Sequence, residues 1–191
     1  MNKDADIPMQ RSLTGALILA AALIAAPLGG ASAQEAFAGA YVHDARLGIT
    51  VCCYEHGADI ELGARTAPIG FLHRLGELRL YGLGSVNTAG GVDFAAVGIL
   101  VRLHLGRRFY IAPGIGGAVQ NGDADQFQRR PNHLDLGSRV LFEPELSLGY
   151  TFSRRWAAEL SYVHLSHAQL AGPQNPGMDD VGARVVYRFG G

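Results

Sequence analysis

The sequence predicts an all-β protein, an eight-stranded antiparallel up-and-down β-barrel that spans a membrane. Three observations favour this fold class. An apparent export signal is followed by no second apolar run as long as a membrane-spanning helix. Segments of roughly ten residues alternate between charged and apolar side chains, which suits tilted transmembrane strands. Charges of both signs fall on one of the two alternating sets of residues in these segments, called here one parity. This is expected for a narrow barrel that is filled by side chains.

The N-terminal segment has the features of a secretory signal peptide. Arg11 supplies a positive charge, residues 13–28 form an apolar run, and residues 31–33 are a small-x-small cleavage motif. An uncleaved membrane anchor is the alternative, but the apolar run is short and ends in that motif. We therefore predict that residues 1–33 are a cleaved signal peptide and that residues 34–191 form an outer-membrane barrel.

The first three strands differ in how clearly they alternate. A first strand is predicted at 36–46, where alternation is weak and the faces cannot be assigned, and residues 47–57 follow as a loop. The next two strands, at 59–66 and 77–82, alternate strictly between polar and apolar residues. Strict alternation indicates strands with one polar and one apolar face.

The middle of the chain is more apolar. Residues 92–105 and 108–120 predict two long strands, the second of which is rich in glycine. Residues 121–134 are polar and rich in turn formers, so we predict a long loop there. The period of two returns in the sixth strand, at 139–148.

The last two strands complete the barrel at 156–166 and 179–189. The charges of the alternating strands are predicted to pair in the lumen, with the apolar parity facing lipid. A soluble barrel with its charges outward is the alternative, but the export signal and strand lengths favour the membrane form. The predicted lumen residues with ionisable side chains are Glu61, Arg65, Glu77, Arg79, Arg139, Glu143, Glu145, Glu159, Arg184 and Arg188.

A histidine, a serine and a carboxylate share one predicted outer face. His164 and Ser166 lie two residues apart on the seventh strand, so their side chains point to the same face. Asp179 begins the eighth strand on the outward parity, whereas Asp180 falls on the lumen parity. Serine, histidine and an acid are the components of a hydrolase triad.

The depth of these residues in the membrane follows from barrel topology. In an even-stranded bacterial barrel both termini lie in the periplasm, so the loop at 167–178 is predicted to be extracellular. The candidate triad then lies level with the outer leaflet. In a Gram-negative outer membrane, the lipid of that leaflet is lipopolysaccharide.

The run His164-x-Ser-x-Ala168, followed by Asn175-Pro-Gly-x-Asp179, resembles the outer-membrane lipid A 3-O-deacylase family, known as PagL or acyloxyacyl hydrolase-like. The resemblance is close over the last quarter of the chain and loose over the rest of the mature part. It implies hydrolysis of the ester-linked 3-hydroxyacyl chain at the 3-position of lipid A. The expected partners are therefore lipopolysaccharide and the outer membrane.

The resemblance also implies roles for individual residues. Ser166 is expected to be the nucleophile, His164 the base, and Asp179 the acid that orients His164. Asn175 matches a loop asparagine of the oxyanion hole, and His167 and Gly177 belong to the same oxyanion or substrate region. This chain departs from the family in having His167 where asparagine is usual. It also has Asp179 where glutamate is usual, and it has one more residue than the family between Ser166 and Asn175.

Cofactors and most other partners are not predicted. Cys52, Cys53 and His56 lie close together in the sequence, but no fourth metal ligand is apparent near them, so neither a metal nor a cofactor is expected. The formal net charge of −1 gives no electrostatic reason to bind nucleic acid. A homodimer is left open by the sequence.

Two other function classes compete with the hydrolase. A small non-enzymatic barrel, acting in adhesion or membrane structure, would carry His164 and Ser166 only as polar residues of the rim. An outer-membrane acyltransferase would use the same serine and pass the acyl group to an acceptor other than water. Four other histidines show no partner spacing and are predicted to be surface or loop residues; they are His43, His73, His104 and His133.

Overall fold

A computed structural model describes residues 33–45, 55–70, 76–124, 133–173 and 175–189. These residues form eight antiparallel strands in a closed barrel, in which each strand pairs with its neighbours in sequence and the last pairs with the first. The strands are β1 (Ala33–Val42), β2 (Ala58–Thr66), β3 (Glu77–Asn87), β4 (Phe94–Leu105), β5 (Phe109–Gln120), β6 (Val140–Thr151), β7 (Trp156–Leu165) and β8 (Met178–Arg188).

The predicted fold class is therefore confirmed. The long loop predicted at 121–134 extends to residue 139, and the weakly alternating first strand is a full member of the barrel. No helix in the described part of the chain is both long and apolar enough to cross a membrane. Residues 1–32, with most of the predicted signal peptide, lie outside the described residues, as do Cys52, Cys53 and His73.

The lumen is filled by paired charges, as the alternation predicts. Arg184 is fully buried and donates hydrogen bonds to Glu159 at 2.6 Å, Glu61 at 3.1 Å and Glu145 at 3.0 Å. Arg65 donates to both carboxylate oxygens of Glu159, each at 2.8 Å. Buried charges are tolerated when they are paired and hydrogen-bonded in this way, so the ionic lumen is a stable interior.

One predicted lumen residue is placed wrongly. Arg139 is exposed, because β6 begins at Val140 and Arg139 belongs to the preceding loop. Val140 itself points outward and is 65% exposed. The alternation of β6 therefore starts one residue later than predicted, without a change of parity.

The outer surface of the barrel is apolar. Large hydrophobic side chains of several strands stand exposed on it, which is the arrangement of a lipid-facing surface. They include Ile60, Val97, Ile99, Ile115, Val119, Val140, Leu146, Leu148, Leu160 and Val185. The charged interior and apolar exterior together support the membrane form of the barrel over the soluble one.

The two ends of the barrel differ in their connections. At one end, β4–β5 and β6–β7 are joined by short turns at 106–108 and 152–155, and both ends of the described chain lie there. The β2–β3 connection at this end is longer and comprises residues 67–76. At the other end the connections are longer, notably 43–57 and 121–139. Short periplasmic turns and long extracellular loops are typical of outer-membrane barrels, so we assign the second end to the extracellular side on the basis of its long connections.

Candidate active site on the outer face of β7 and β8

The register of two strands brings His164 and Asp179 together. The two residues are direct partners in the β7–β8 ladder, and both lie on its outward parity. Nδ1 of His164 lies 2.7 Å from Oδ1 of Asp179. A carboxylate can only accept, so the proton of this hydrogen bond is on Nδ1 and Nε2 is left as the basic nitrogen. Asp179 therefore reaches the histidine although it is one methylene shorter than glutamate.

Tyr162 is a third member of this cluster that the motif did not reveal. It lies two residues before His164 on the same face of β7, and its hydroxyl donates to Oδ1 of Asp179 at 2.7 Å. The same carboxylate oxygen thus accepts from both Tyr162 and His164. Asp179 is fully buried beneath these two side chains, whereas the side chain of His164 is 19% exposed. The parity of β7 alone would have placed Tyr162 beside the histidine.

Ser166 lies just beyond the end of β7. Its backbone pairs with Phe142 of β6: the Ser166 N–H donates to the Phe142 carbonyl at 3.1 Å, and the Phe142 N–H donates back at 2.7 Å. This bridge keeps Ser166 in register with β7, so that its side chain is on the same outward face as that of His164. Both residues are half-buried. In the described part of the chain, no hydrogen bond joins the Ser166 hydroxyl to His164.

The turn after Ser166 has an unusual backbone. Ala168 and Gln169 have φ angles of 51° and 61°, which lie in the left-handed region. The Leu170 N–H donates to the His167 carbonyl at 2.9 Å. Two successive positive φ angles closed by such a hydrogen bond are typical of a type I′ turn. Left-handed non-glycine residues cost roughly 1–3 kcal/mol each and are often found at functional sites.

Asn175 ties the next loop to this turn. The His167 N–H donates to Oδ1 of Asn175 at 3.0 Å, which directs the amide nitrogen of that carboxamide the other way. The ring of His167 is buried, and its Nδ1 accepts from the Ala171 N–H at 3.2 Å. His167 thus supports the turn through both its backbone and its ring. Gly177, with a φ of 71°, turns the chain into β8 just before Asp179.

A second polar cluster lies inside the extracellular end of the barrel, around His43. The prediction that His43 is a surface or loop residue is wrong, because its side chain is fully buried. Its Nδ1 lies 2.8 Å from Oδ2 of Asp59, and its Nε2 lies 2.9 Å from Oε2 of Glu55. Glu55 also accepts from the backbone N–H groups of Val92 and Leu134 at 2.7 and 2.9 Å. Three extracellular connections therefore meet at one carboxylate.

The charge of His43 follows from these contacts. Burial alone would lower its pKa, but the hydrogen bonds to Asp59 and Glu55, with the negative charges of Asp59 and Asp180, raise the pKa of His43 to about 10. Burial also favours a raised pKa for Glu55, yet the hydrogen bonds from His43 and the two backbone N–H groups lower it. At neutral pH His43 is therefore an imidazolium that donates from both nitrogens.

This cluster also contains the residues best placed to hold a metal. His43, Asp59 and Asp180 offer ligand atoms within 4.8 Å of one another. Both ring nitrogens of His43 already form hydrogen bonds with carboxylates, Nδ1 with Asp59 and Nε2 with Glu55. We therefore describe the cluster as a hydrogen-bonded ion group.

The His43 cluster is connected to the start of β8. The Asp44 N–H donates to Oδ1 of Asp180 at 3.1 Å, and the Ala45 N–H donates to the carbonyl of Asp179 at 2.5 Å. The side chains of Asp179 and Asp180 point to opposite faces, as predicted. The first extracellular loop therefore holds the backbone of the residue that pairs with His164.

Comparisons with known proteins place the chain in a class and then in a family. It is similar to the crystal structure of the outer-membrane enzyme PagL, with a TM-score of 0.58 and 18% identity over 80% of this chain and 97% of that one. It is also similar to Neisserial surface protein A, with a TM-score of 0.53 and 13% identity over 84% and 99%. The N-terminal barrel of Pseudomonas aeruginosa OprF gives 0.51 and 12% over 82% and 98%. These likenesses show the shared fold.

The protein is an outer-membrane β-barrel. A family model described as lipid A 3-O-deacylase (PagL) matches residues 60–188, which is more than half of the sequence. The chain therefore belongs to the lipid A 3-O-deacylase (PagL) family, as the motif around His164 and Asn175 predicted. A comparison with curated protein sequences gave no match.

Proposed function

We propose that this protein is a lipid A 3-O-deacylase, a serine esterase that hydrolyses the ester-linked 3-hydroxyacyl chain at the 3-position of lipid A. The proposal is supported by its family and carried by one observation. The His164–Asp179 hydrogen bond of 2.7 Å lies on the outer face of the barrel, two residues before Ser166. A base oriented by an acid beside a serine is the arrangement that activates a hydroxyl group.

The proton path follows from the tautomer of His164. With Nδ1 donating to Asp179, Nε2 accepts the proton of the Ser166 hydroxyl as its oxygen attacks the acyl carbonyl carbon. Asp179 remains ionised and stabilises the imidazolium that forms. The tetrahedral intermediate then collapses, the ester C–O bond breaks, and His164 returns its proton to the departing 3-hydroxyl of lipid A. Water, deprotonated by His164, hydrolyses the acyl-serine in the second half of the reaction.

Asn175 is proposed to stabilise the oxyanion. Its Oδ1 is occupied by the His167 N–H, so its amide nitrogen is the group that remains to donate. The backbone N–H of Ser166 is occupied by Phe142, and that of His167 by Asn175. A side-chain amide is therefore better placed for this role than either of these backbone groups. In this arrangement His167 orients Asn175, and Gly177 lets the loop turn back to Asp179.

The substrate would approach from the membrane. The site is half-buried on the outer face, near the end of β7 that we assign to the extracellular side. We propose that it lies at the depth of the outer leaflet. Below it, Leu160 and Val185 are 59% and 46% exposed and continue the same outward parity. We propose that the scissile acyl chain lies against this apolar surface while the glucosamine headgroup stays at the level of Ser166.

Mass spectrometry of lipid A tests the proposal. The chain is expressed in a Gram-negative host whose lipid A keeps its 3-O-acyl group, beside Ser166→Ala and a control, Ser153→Ala, at the opposite end of the barrel. The parent and the control are expected to remove one 3-hydroxyacyl mass and release the free fatty acid, and Ser166→Ala is expected to remove none.

The same comparison is repeated on folded protein in detergent with added lipid A. This second assay distinguishes an enzyme that is latent in the cell membrane from a protein that has no deacylase activity. Lipid A that is unchanged by the parent in both settings would contradict the proposal and favour a non-enzymatic barrel. Recovery of the 3-hydroxyacyl chain on another acceptor, instead of as free acid, would indicate an acyltransferase.

A further inference from the structure

The exposed charges of this barrel are all positive in the part of the chain that the structure describes. Every Asp and Glu there is buried or half-buried, mostly within the lumen or the His43 cluster. The described part of the exterior is thus basic, although the formal net charge of the whole sequence is −1. The exposed arginines are Arg107, Arg108, Arg139, Arg154 and Arg155.

Four of these arginines share one rim. Arg107 and Arg108 lie in the turn between β4 and β5, and Arg154 and Arg155 lie in the turn between β6 and β7. The two turns are adjacent, because the Arg108 carbonyl accepts from the Thr151 N–H at 2.8 Å. We call this set the rim arginines. They lie at the end with the short turns, opposite the candidate active site.

An aromatic belt lies directly beside the rim arginines. Phe109 packs on Tyr150 with ring centroids 4.9 Å apart, and Trp156 packs on Tyr187 at 4.8 Å. Tyr187 also contacts Phe189 at 5.2 Å. Aromatic side chains of this kind mark the level of the lipid headgroups. Phe109 and Trp156 each follow an arginine directly in sequence, so the guanidinium groups lie at the phosphate level just beyond the belt.

The geometry of this rim points to an anionic ligand in a lipid layer. A guanidinium donates a planar pair of hydrogen bonds that matches a phosphate group, and its aliphatic stem packs on apolar surface. Arg108 is already fixed at the belt, since its Nη1 donates to the Tyr150 hydroxyl at 2.9 Å. The short turns face the periplasm, where the leaflet consists of glycerophospholipid.

We propose that the rim arginines bind the headgroups of anionic phospholipids, such as phosphatidylglycerol, in the periplasmic leaflet of the outer membrane. This would fix the depth and tilt of the barrel from the side opposite the candidate active site. The proposal does not depend on the enzymatic function. Arg139 supplies a matched control, because it is also an exposed arginine but lies at the extracellular rim. Its neighbours in sequence include neither a second arginine nor a residue of the aromatic belt.

Native mass spectrometry of the full folded chain tests this proposal. Phosphatidylglycerol or phosphatidylcholine is titrated into detergent micelles that hold the parent, the Arg139→Gln control, or a variant in which all four rim arginines are changed to glutamine. The parent and the control are expected to retain phosphatidylglycerol in preference to phosphatidylcholine. The fourfold variant is expected to retain it at least about tenfold more weakly, given the attraction of each basic residue to an anionic surface.

Equal retention of phosphatidylglycerol by the parent and the fourfold variant would overturn the proposal, as would equal retention of the two lipids by the parent. Competition with purified lipid A distinguishes the two sources of phosphate. If lipid A displaces phosphatidylglycerol as effectively as phosphatidylglycerol itself does, the rim arginines have no preference for glycerophospholipid headgroups, and the proposal is overturned. Folding is checked by the heat-dependent migration of the barrel on electrophoresis. If the fourfold variant does not fold, the pairs Arg107/Arg108 and Arg154/Arg155 are changed separately, and each is expected to show part of the loss.

Discussion

Nδ1 of His164 lies 2.7 Å from Oδ1 of Asp179, and these residues are direct partners across the β7–β8 ladder. Directly paired residues of adjacent strands have side chains close enough to interact, so strand register sets this contact. A shorter acid therefore suffices at this position. The Ala45 N–H bond to the Asp179 carbonyl supports the same register from the first extracellular loop.

Replacement of Asp179 by asparagine is expected to lower kcat by about 10²–10⁴-fold, because an amide can no longer hold His164 in the tautomer with a basic Nε2. The measurement is release of 3-hydroxy fatty acid from lipid A by folded protein in detergent. Asp179→Glu is expected to retain much more activity than Asp179→Asn, since it keeps the charge. Asp180→Asn, whose side chain is on the lumen side, separates the two neighbouring acids. Activity of Asp179→Asn close to that of the parent would exclude Asp179 from the proposed triad.

Removal of the Tyr162 hydroxyl is expected to have a smaller effect. Tyr162→Phe loses one hydrogen bond to Asp179 and leaves the His164 contact in place. A hydrogen bond to a charged acceptor contributes about 1.5–3 kcal/mol, which corresponds to a roughly ten- to 150-fold decrease in kcat. The KM is expected to change little, because in the proposed mechanism the hydroxyl positions Asp179 and does not contact the substrate. Tyr187→Phe, at the opposite end of β8, serves as the control, and an equal decrease in both variants would assign Tyr162 a general structural role.

Sequence reasoning succeeded where one face of a strand is polar. The charges of β2, β6, β7 and β8 mark the lumen parity, and that parity correctly separated Asp179 from Asp180. Alternation did not identify the inward face of β1 or β4, because the inward positions of these strands include apolar residues such as Phe37 and Leu100. When both faces of a strand are apolar, a period of two carries no information on which face is inside.

Contacts between loops were beyond the reach of local patterns. His43 meets Asp59 because β1 and β2 pair, and it meets Glu55 because the connection between them folds back over the barrel. Nothing in the spacing of these residues identifies the group, since each is an ordinary loop or strand-end residue in sequence. Only the closed barrel brings them together.

Gly177 offers a test of the loop geometry. Its φ of 71° is unfavourable for residues with a side chain, so Gly177→Ala is expected to destabilise the loop by roughly 1–2 kcal/mol. Because Gly177 precedes Met178 and Asp179, the expected result is a loss of deacylase activity with little change in the melting of the barrel. Gly117→Ala is the control, since a Cβ there meets open space on the outer face of β5. Equal activity of the two variants would show that the loop tolerates the strain.

The His43 cluster predicts a loss of loop stability at alkaline pH. The pKa of His43 is raised from 6.5 to about 10, so its contribution to stability is complete below about pH 6.5 and is lost as the pH rises through 10. The pKa of Glu55 is lowered, so its contribution is present above pH 4.5 and is lost as the pH falls below that value. The connections that meet at Glu55 should therefore be held most firmly between these limits.

Limited proteolysis between pH 7 and pH 10.5, normalised to an unfolded substrate, measures this effect on the extracellular loops. Cleavage in the parent is expected to increase towards pH 10 as His43 loses its proton and two carboxylates lose their shared donor. His43→Gln should be cleaved faster already at pH 7 and should show little further increase, because glutamine does not titrate. His104→Gln, exposed at the opposite rim, should follow the parent. If cleavage of His43→Gln increases with pH as much as cleavage of the parent does, a group other than His43 controls the stability of the loops.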